Sequence, residues 1–377
     1  MSASNAKAKW VKLGDYIEQC DERNNEGKYT LDDVRGISTD KKFIATKANM
    51  EGVSLTSYKV VNPKEFAYVA DTSRRGDKIA LALNTTESSV LISSIYTTFR
   101  SKYIDILLPD YLFLILSRSE FDRYSRFNSW GSARETFDWS EFCRTKIPLP
   151  SIEVQQELVD TYNSLKALAE QNEALIEPLS KACEAFIVDC KTKYPVVELG
   201  VYIEEFDKRN SAGCDYPFYG INKDKTFMPT VADTNNLDNT KYKVVSSGDF
   251  VFSGMQTGRD VCIRIALYDG TNSIIISPAY TTFRVKDSTK ILPQYLFIQF
   301  KRFEMDRYGW FLSDGSIRSN LEWERFCEIK LTLPPMEIQR SIVNLYNCLE
   351  EAKKIASEAR EKLKTLCPAL VQRAANS

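Results

Sequence analysis

The chain has 377 residues, 43% of them hydrophobic, with 50 basic and 51 acidic side chains, a net charge of −1 and no histidine. That length exceeds one typical domain, and the apolar content argues against large-scale disorder. The missing histidine excludes Ser–His–Asp and Cys–His nucleophile systems, HNH-type nucleases and histidine metal sites, leaving carboxylate catalysis formally open.

The opening MSASNAKAKW lacks the apolar core of a signal peptide, and no apolar run reaches the roughly 18 residues that span a bilayer. Nine cysteines without a CxxC pair read as reduced, packed thiols, so a cytoplasmic protein without a metal site is expected. Neither GxxxxGK[ST] nor a well-placed GxGxxG is present, and the Asn/Asp-Pro-Pro-Tyr/Phe run of an amino-methyltransferase is absent. No nucleotide cradle or amino-methyltransferase motif is therefore visible in the chain.

In chain order, KLGDYIEQCDERN precedes strand-like runs broken by Gly, Asn, Asp and Ser turns, among them VLISSIYTTFR. Short helices are predicted after Pro109, where YLFLIL continues into RSEFDRY, and a Gly131-Ser132-x-Arg134 loop follows. Ser151 then caps a long helix with Glu153 in its first turn. After that the text repeats. ELGVYIEEFDKRN, SIIISPAYTTFRV, YLFIQF with KRFEMDRY, Gly315-Ser316-x-Arg318 and a second long helix recur in the same order. The offset is 184 residues from Tyr58 onward, placing Tyr96-Thr97-Thr98-Phe99-Arg100 on Tyr280-Thr281-Thr282-Phe283-Arg284, and 186 upstream over Leu13 to Asn24. Ordered matches along the whole unit mean a tandem duplication. Two long copies predict internal pseudo-twofold symmetry rather than a solenoid.

The long helices carry a heptad seam: Leu158, Tyr162, Leu165, Ile176, Leu179 and Phe186 in the first, Ile342, Tyr346, Leu349, Leu363 and Leu366 in the second. Residues 151–191 carry net −5 and residues 336–373 net +2, which favours pairing one helix with the other. Twofold symmetry makes that pair antiparallel. Pro178 predicts a kink or break near Glu177. The expected fold class is α+β: two similar mixed α/β domains at 1–150 and 192–335, separated by coiled-coil helices at 151–191 and 336–377. Trp139 and Trp323 are expected to pack each globule on its helix, with Cys143 and Cys327 buried beside them.

Two unequal sibling globules joined by helical struts suit a ligand with an approximate dyad of its own, and duplex DNA is such a ligand. The segments GSARETFDWSEFCRTKIPLPSIEVQQELV and GSIRSNLEWERFCEIKLTLPPMEIQRSIV resemble the junction of target-recognition domain and spacer helix in specificity subunits of type I restriction–modification systems. KLGDYIEQCDERN and ELGVYIEEFDKRN resemble the start of each recognition domain, so the resemblance covers essentially the whole chain. It implies two domains that each read half of a split asymmetric DNA target. It also implies helices that dock two methyltransferase subunits carrying S-adenosylmethionine, with a restriction or translocase subunit as a further partner.

Residues shared by both copies should hold the scaffold or contact phosphate, whereas base reading should lie where the copies differ. Arg74, Arg75, Lys78, Gln256 and Arg259 are accordingly the base-reading candidates, since Arg and Gln make bidentate contacts to G and A edges. Ser132, Arg134, Ser316, Arg318, Arg100 and Arg284 are the phosphate or positioning candidates, the plainer alternative being capped turns with solvated arginines. Residues 1–150 carry only +2 and residues 192–335 carry no net charge, so tight DNA binding is expected to need partner subunits. The competing expectation is a duplicated protein-interaction scaffold without catalysis.

Overall fold

The structure is a computed structural model that describes residues 9–72, 78–131, 135–230, 237–255, 257–314 and 320–376, with the side chains of 258–259 and 365–376 outside that description. The chain divides into two compact units, residues 1–171 with 355–377, and residues 172–354.

Each unit is built on a four-stranded antiparallel sheet. In the first unit the strand order is Ile17–Cys20, Thr97–Ser101, Phe66–Tyr68, Leu81–Leu83; in the second it is Ile203–Phe206, Thr281–Val285, Phe250–Ser253, Arg264–Leu267. The register is kept as well as the order. Ile17 faces Ser101 and Phe66 faces Phe99, as Ile203 faces Val285 and Phe250 faces Phe283. A two-stranded ladder, Lys59–Val61 with Val90–Ile92, covers one face of the first sheet; Lys243–Val245 with Ile274–Ile276 is its counterpart.

The repeated YTTFR segment is the second strand of each sheet, and alternation gives both its faces a role. Phe99 stacks on Phe66 at 4.7 Å in an aromatic core, and Phe283 on Phe250 at 4.8 Å. Thr98 points the other way, fully buried, and donates to the Cys20 carbonyl at 2.5 Å; Thr282 donates likewise to Phe206. Trp139 and Trp323 pack against the same cores, which also take in Leu158 and Val159 of the first long helix and Ile342 of the second. Trp139 stacks on Phe142 at 5.7 Å and Trp323 on Phe326 at 5.3 Å, both inside their units. The reason lies in the short helices Trp139–Arg144 and Trp323–Cys327, which fold back onto the sheet. Leu-Gly and Phe-Cys recur together because they touch. A Cβ on Gly14 would stand 2.7 Å from the Cys143 Cβ, and one on Gly200 2.9 Å from that of Cys327. Both thiols are free, half-buried and pushed up by that burial.

The long helices run from Ile152 to Lys193 and from Met336 to Asn376. The first half of one shares a unit with the last half of the other, the division that an antiparallel pair produces. Every described seam position is shielded from solvent: Leu158, Ile342 and Leu349 are buried, and Tyr162, Leu165, Ile176, Leu179, Phe186, Tyr346 and Leu363 half-buried. Leu366 lies outside the described side chains. The first helix continues through Pro178, so the expected break does not occur. Ala174 and Pro178 both face solvent, where water satisfies the carbonyl that proline leaves without a donor.

One side chain fastens each helix to its globule. The fully buried Gln155 accepts from the Leu108 amide at 2.9 Å and donates to the Ile106 and Pro150 carbonyls at 2.8 and 3.0 Å. Gln339 repeats this with Leu292 at 2.8 Å and with Lys290 and Pro334, both at 2.9 Å. Truncation strands three buried backbone groups, so Gln155→Ala or Gln339→Ala should each cost roughly 2–4 kcal/mol. Urea unfolding followed by tryptophan fluorescence checks this; a change below about 0.5 kcal/mol would contradict it.

Candidate nucleic-acid interface

Two loops that lie some 60 residues apart in each sequence copy are brought together at their bases. In the first unit the Phe137 amide donates to the Ala70 carbonyl at 2.8 Å, and the Thr72 amide to Glu135 at 3.1 Å. Asp71 bridges to Thr136, which exchanges two backbone bonds with Trp130. The described residues flanking these two segments, 70–72 on one side and 130 with 135–137 on the other, are thus bonded to each other. In the second unit the Leu321 amide donates to Gly254 at 2.9 Å and Asp314 to Asn320 at 3.0 Å, the same bonds displaced by 184 residues. Gly254 is needed there, because a Cβ would fall 1.9 Å from the Leu321 carbonyl oxygen.

The outgoing end of the first loop is held by a buried ion pair in both units. Lys41 donates to Asp122 at 2.7 Å and to the Leu116 carbonyl at 2.9 Å, and Asp122 also accepts from the Ile79 amide at 3.1 Å. Lys225 pairs with Asp306 at 2.7 Å and reaches the Phe300 carbonyl, while Asp306 accepts from the Ile263 amide at 2.9 Å. Each lysine sits at positive φ, +59° and +61°, in a tight turn that aims its side chain inward. Burial pulls the Lys41 ammonium below the ordinary lysine range, against the opposing pull of Asp122. In the second unit Asp260, almost fully buried, adds contacts to Lys223 at 3.3 Å and Arg264 at 2.6 Å, fixing the short helix Thr257–Asp260.

Of the candidates from sequence, Arg74, Arg75, Ser132, Arg134, Gln256, Ser316 and Arg318, with the Arg259 side chain, lie outside the described residues, although the anchors on either side of their loops are described. Lys78 is exposed, 3.8 Å from Asp40. Arg100 and Arg284 lie on the sheets, within each unit's own network of carboxylates. Arg100 donates to Glu18 at 2.8 Å and lies 3.7 Å from Glu65. Arg284 covers the Phe206 ring at 4.2 Å and lies 3.3 Å from Asp249, whose carboxyl is raised by burial. Among the described residues no cluster of three or more His, Cys, Asp or Glu could hold a metal ion.

Sequence reasoning missed the Lys41–Asp122 pair, although both members recur at the offset of 184. It also missed the exposed aromatics Phe127, Trp130, Trp310 and Phe311 beside the loops. Their signal was phase: Phe127 and Phe311 each follow a buried helix position, Ser125 or Gly309, by two residues, which is about 200° around the helix.

Residues 202–365 match the family model of the type I restriction modification DNA specificity domain. The crystal structure of the type I restriction–modification S subunit from M. genitalium superposes with a TM-score of 0.59 at 14% identity, over 98% of each chain, so the fold is shared. The HsdS subunit from Thermoanaerobacter tengcongensis aligns over 98% of this chain and 96% of its own, at 18% identity and a TM-score of 0.39. A chain solved in work on complex assembly and conformational transition of the type I R-M system aligns over 98% of both, at 16% identity and a TM-score of 0.35. No curated protein sequence matches the chain.

The ion pair beneath the loop makes a separable prediction. Lys41→Met leaves Asp122 charged and buried and should cost roughly 3–5 kcal/mol, whereas Lys41→Met with Asp122→Leu should restore most of that stability. The double variant still lacks the acceptor for the Ile79 amide. Its hydrogen exchange at Ile79 should rise at least tenfold while global unfolding stays near wild type; unchanged protection there would refute the anchoring role.

Proposed function

We propose that this chain is a specificity subunit of a type I restriction–modification system, as the match of residues 202–365 to the specificity-domain model supports. Its function is DNA sequence specificity. Each compact unit reads one half of a bipartite target, through the paired loops at 73–78 with 131–135 and at 256–260 with 315–320. The observation that carries this reading is the loop junction. The same backbone bonds, and the same lysine–aspartate anchor, are built twice, while the loops they hold differ in sequence. A shared frame with unlike loops is what two unlike half-sites require.

Arg74, Arg75, Lys78, Gln256 and Arg259 are the proposed base readers, and Ser132, Arg134, Ser316 and Arg318 the positioning groups. Arg100 and Arg284 are proposed to contact phosphate only by exchanging their present carboxylate partners. The two long helices set the separation of half-sites and dock two methyltransferase subunits, which bring the S-adenosylmethionine; a restriction or translocase subunit joins that assembly. The chain itself catalyses nothing and works in the cytoplasm. The near-zero charge of each globular segment supports a division in which partner subunits supply most phosphate contacts. Among the described residues, no helix is long and apolar enough to cross a membrane.

Genome-wide mapping of methylated bases, in hosts with and without the gene, tests this directly. A bipartite motif should vanish on deletion, and an unchanged methylome would overturn the reading. With the motif known, Arg318→Ala should weaken binding about equally on all sequences and lower the salt slope by about one. Gln256→Ala or Arg259→Ala should relax one half-site only, at about 1–3 kcal/mol per lost contact. Fluorescence anisotropy over a salt series separates the two outcomes.

A further inference from the structure

Each unit exposes a pair of large aromatic rings beside its loop junction. Phe127 and Trp130 are 79% and 65% exposed, and Trp310 and Phe311 are 53% and 75% exposed. Folding alone does not call for them. The helix Ser119–Phe127 buries Phe121, Asp122 and Ser125, and the helix Phe303–Leu312 buries Met305 and Gly309, so Phe127 and Phe311 face away from the core. A polar residue would serve the outward position of Phe127 equally well; Phe311 keeps one ring contact, to Tyr308 at 6.4 Å, yet stays 75% exposed, and exposed aromatic area is costly in water. Yet phenylalanine stands at the same place in both copies.

The tryptophans do not share a position. Trp130 lies at the base of the 131–135 loop, where its backbone exchanges two bonds with Thr136, and Asp314 takes that place in the second unit. Trp310 instead occupies the position of Arg126, one residue before the phenylalanine. Both units therefore keep one phenylalanine and one tryptophan at the junction while moving the tryptophan by four positions. Simple inheritance from the duplicated ancestor does not account for that difference. In the first unit Arg123 is on the same helix, and Arg126 pairs with Glu135 at the loop edge. Asp122 faces inward and is neutralised by Lys41.

We propose that these pairs are a second, non-ionic element of the DNA interface. Phe127 with Trp130, and Trp310 with Phe311, pack on sugars and base edges flanking each half-site and there hold a deformed duplex. Exposed rings at a protein–DNA boundary bury apolar area against deoxyribose or enter between base steps, adding affinity that carries no counterion release. This deepens the DNA-reading assignment and rests on it. The occupant is duplex DNA because the rings lie at the base of the loops assigned to it, and because a conserved ring pair with a shifting member suits two unlike sequences.

The test uses the full chain in complex with its methyltransferase partner. The probes are a duplex carrying the motif returned by methylation mapping and a scrambled duplex of equal length. The variants are Phe127→Ser with Trp130→Ser, and Trp310→Ser with Phe311→Ser. Each exposed pair should lower affinity for the motif duplex roughly ten- to a hundredfold with the salt slope unchanged. Stability and partner co-purification should stay as in wild type. In the wild-type complex, binding should quench Trp130 and Trp310 emission, read by difference from Trp130→Phe and Trp310→Phe. Unaltered affinity overturns the proposal, as does a loss explained by failure to retain the methyltransferase, which would make the rings a subunit interface. A wild-type complex that does not distinguish motif from scrambled duplex would defeat the DNA-reading assignment itself, a result distinct from either.

Discussion

The arrangement depends on a buried lysine–aspartate pair that closes a loop. Lys41 and Lys225 are carried into their units by a left-handed turn, and there each neutralises a carboxylate that also accepts a backbone amide at the loop's far end. Burying a charge without a partner is prohibitively costly, so neither member of the pair can shift while the other stays. The amide of Ile79 or Ile263 is held by the same carboxylate. The segment between strand and anchor is thereby free to vary in sequence but not in where it begins and ends. That is the mechanical condition for exchanging recognition residues on a constant frame.

Gln155 and Gln339 impose the matching condition at the other side of each globule. A neutral side chain with one acceptor and two donors satisfies three backbone groups around the start of a long helix; asparagine carries the same groups but is one methylene shorter, and a carboxylate has no donors. Because the bonds are buried, the helix leaves its globule at a determined point. The heptad seam behind it then packs along its length, with alanines at 352, 356 and 359 allowing close approach in the second helix. Rigid attachment of reader to helix would have little value if the readers' loops were not themselves anchored, so the two devices belong together.

Weak overall charge gives these anchors a further consequence. With as many acids as bases in the second globular segment, nonspecific attraction to phosphate is small, and affinity for DNA has to rest on well-placed contacts. Shape and stacking at the loop junction are the kind of contact that does not depend on net charge.

The duplication, its offsets, the alternation in YTTFR and the heptads were all legible in the sequence, because each is a local or periodic property that side-chain chemistry imposes on its own segment. The resemblance to the specificity subunits rested on the order of motifs, found twice over. Packing was not legible. The first helix runs unbroken through Pro178, where Ala174 and Pro178 are both exposed, and the two tryptophans lie in cores shared by the sheet and the long helices. The pairing of loops about 60 residues apart, and of Lys41 with Asp122 across 81, is a matter of tertiary contact. Nothing within either segment announces its partner; only the folded chain decides which distant carboxylate receives a buried ammonium.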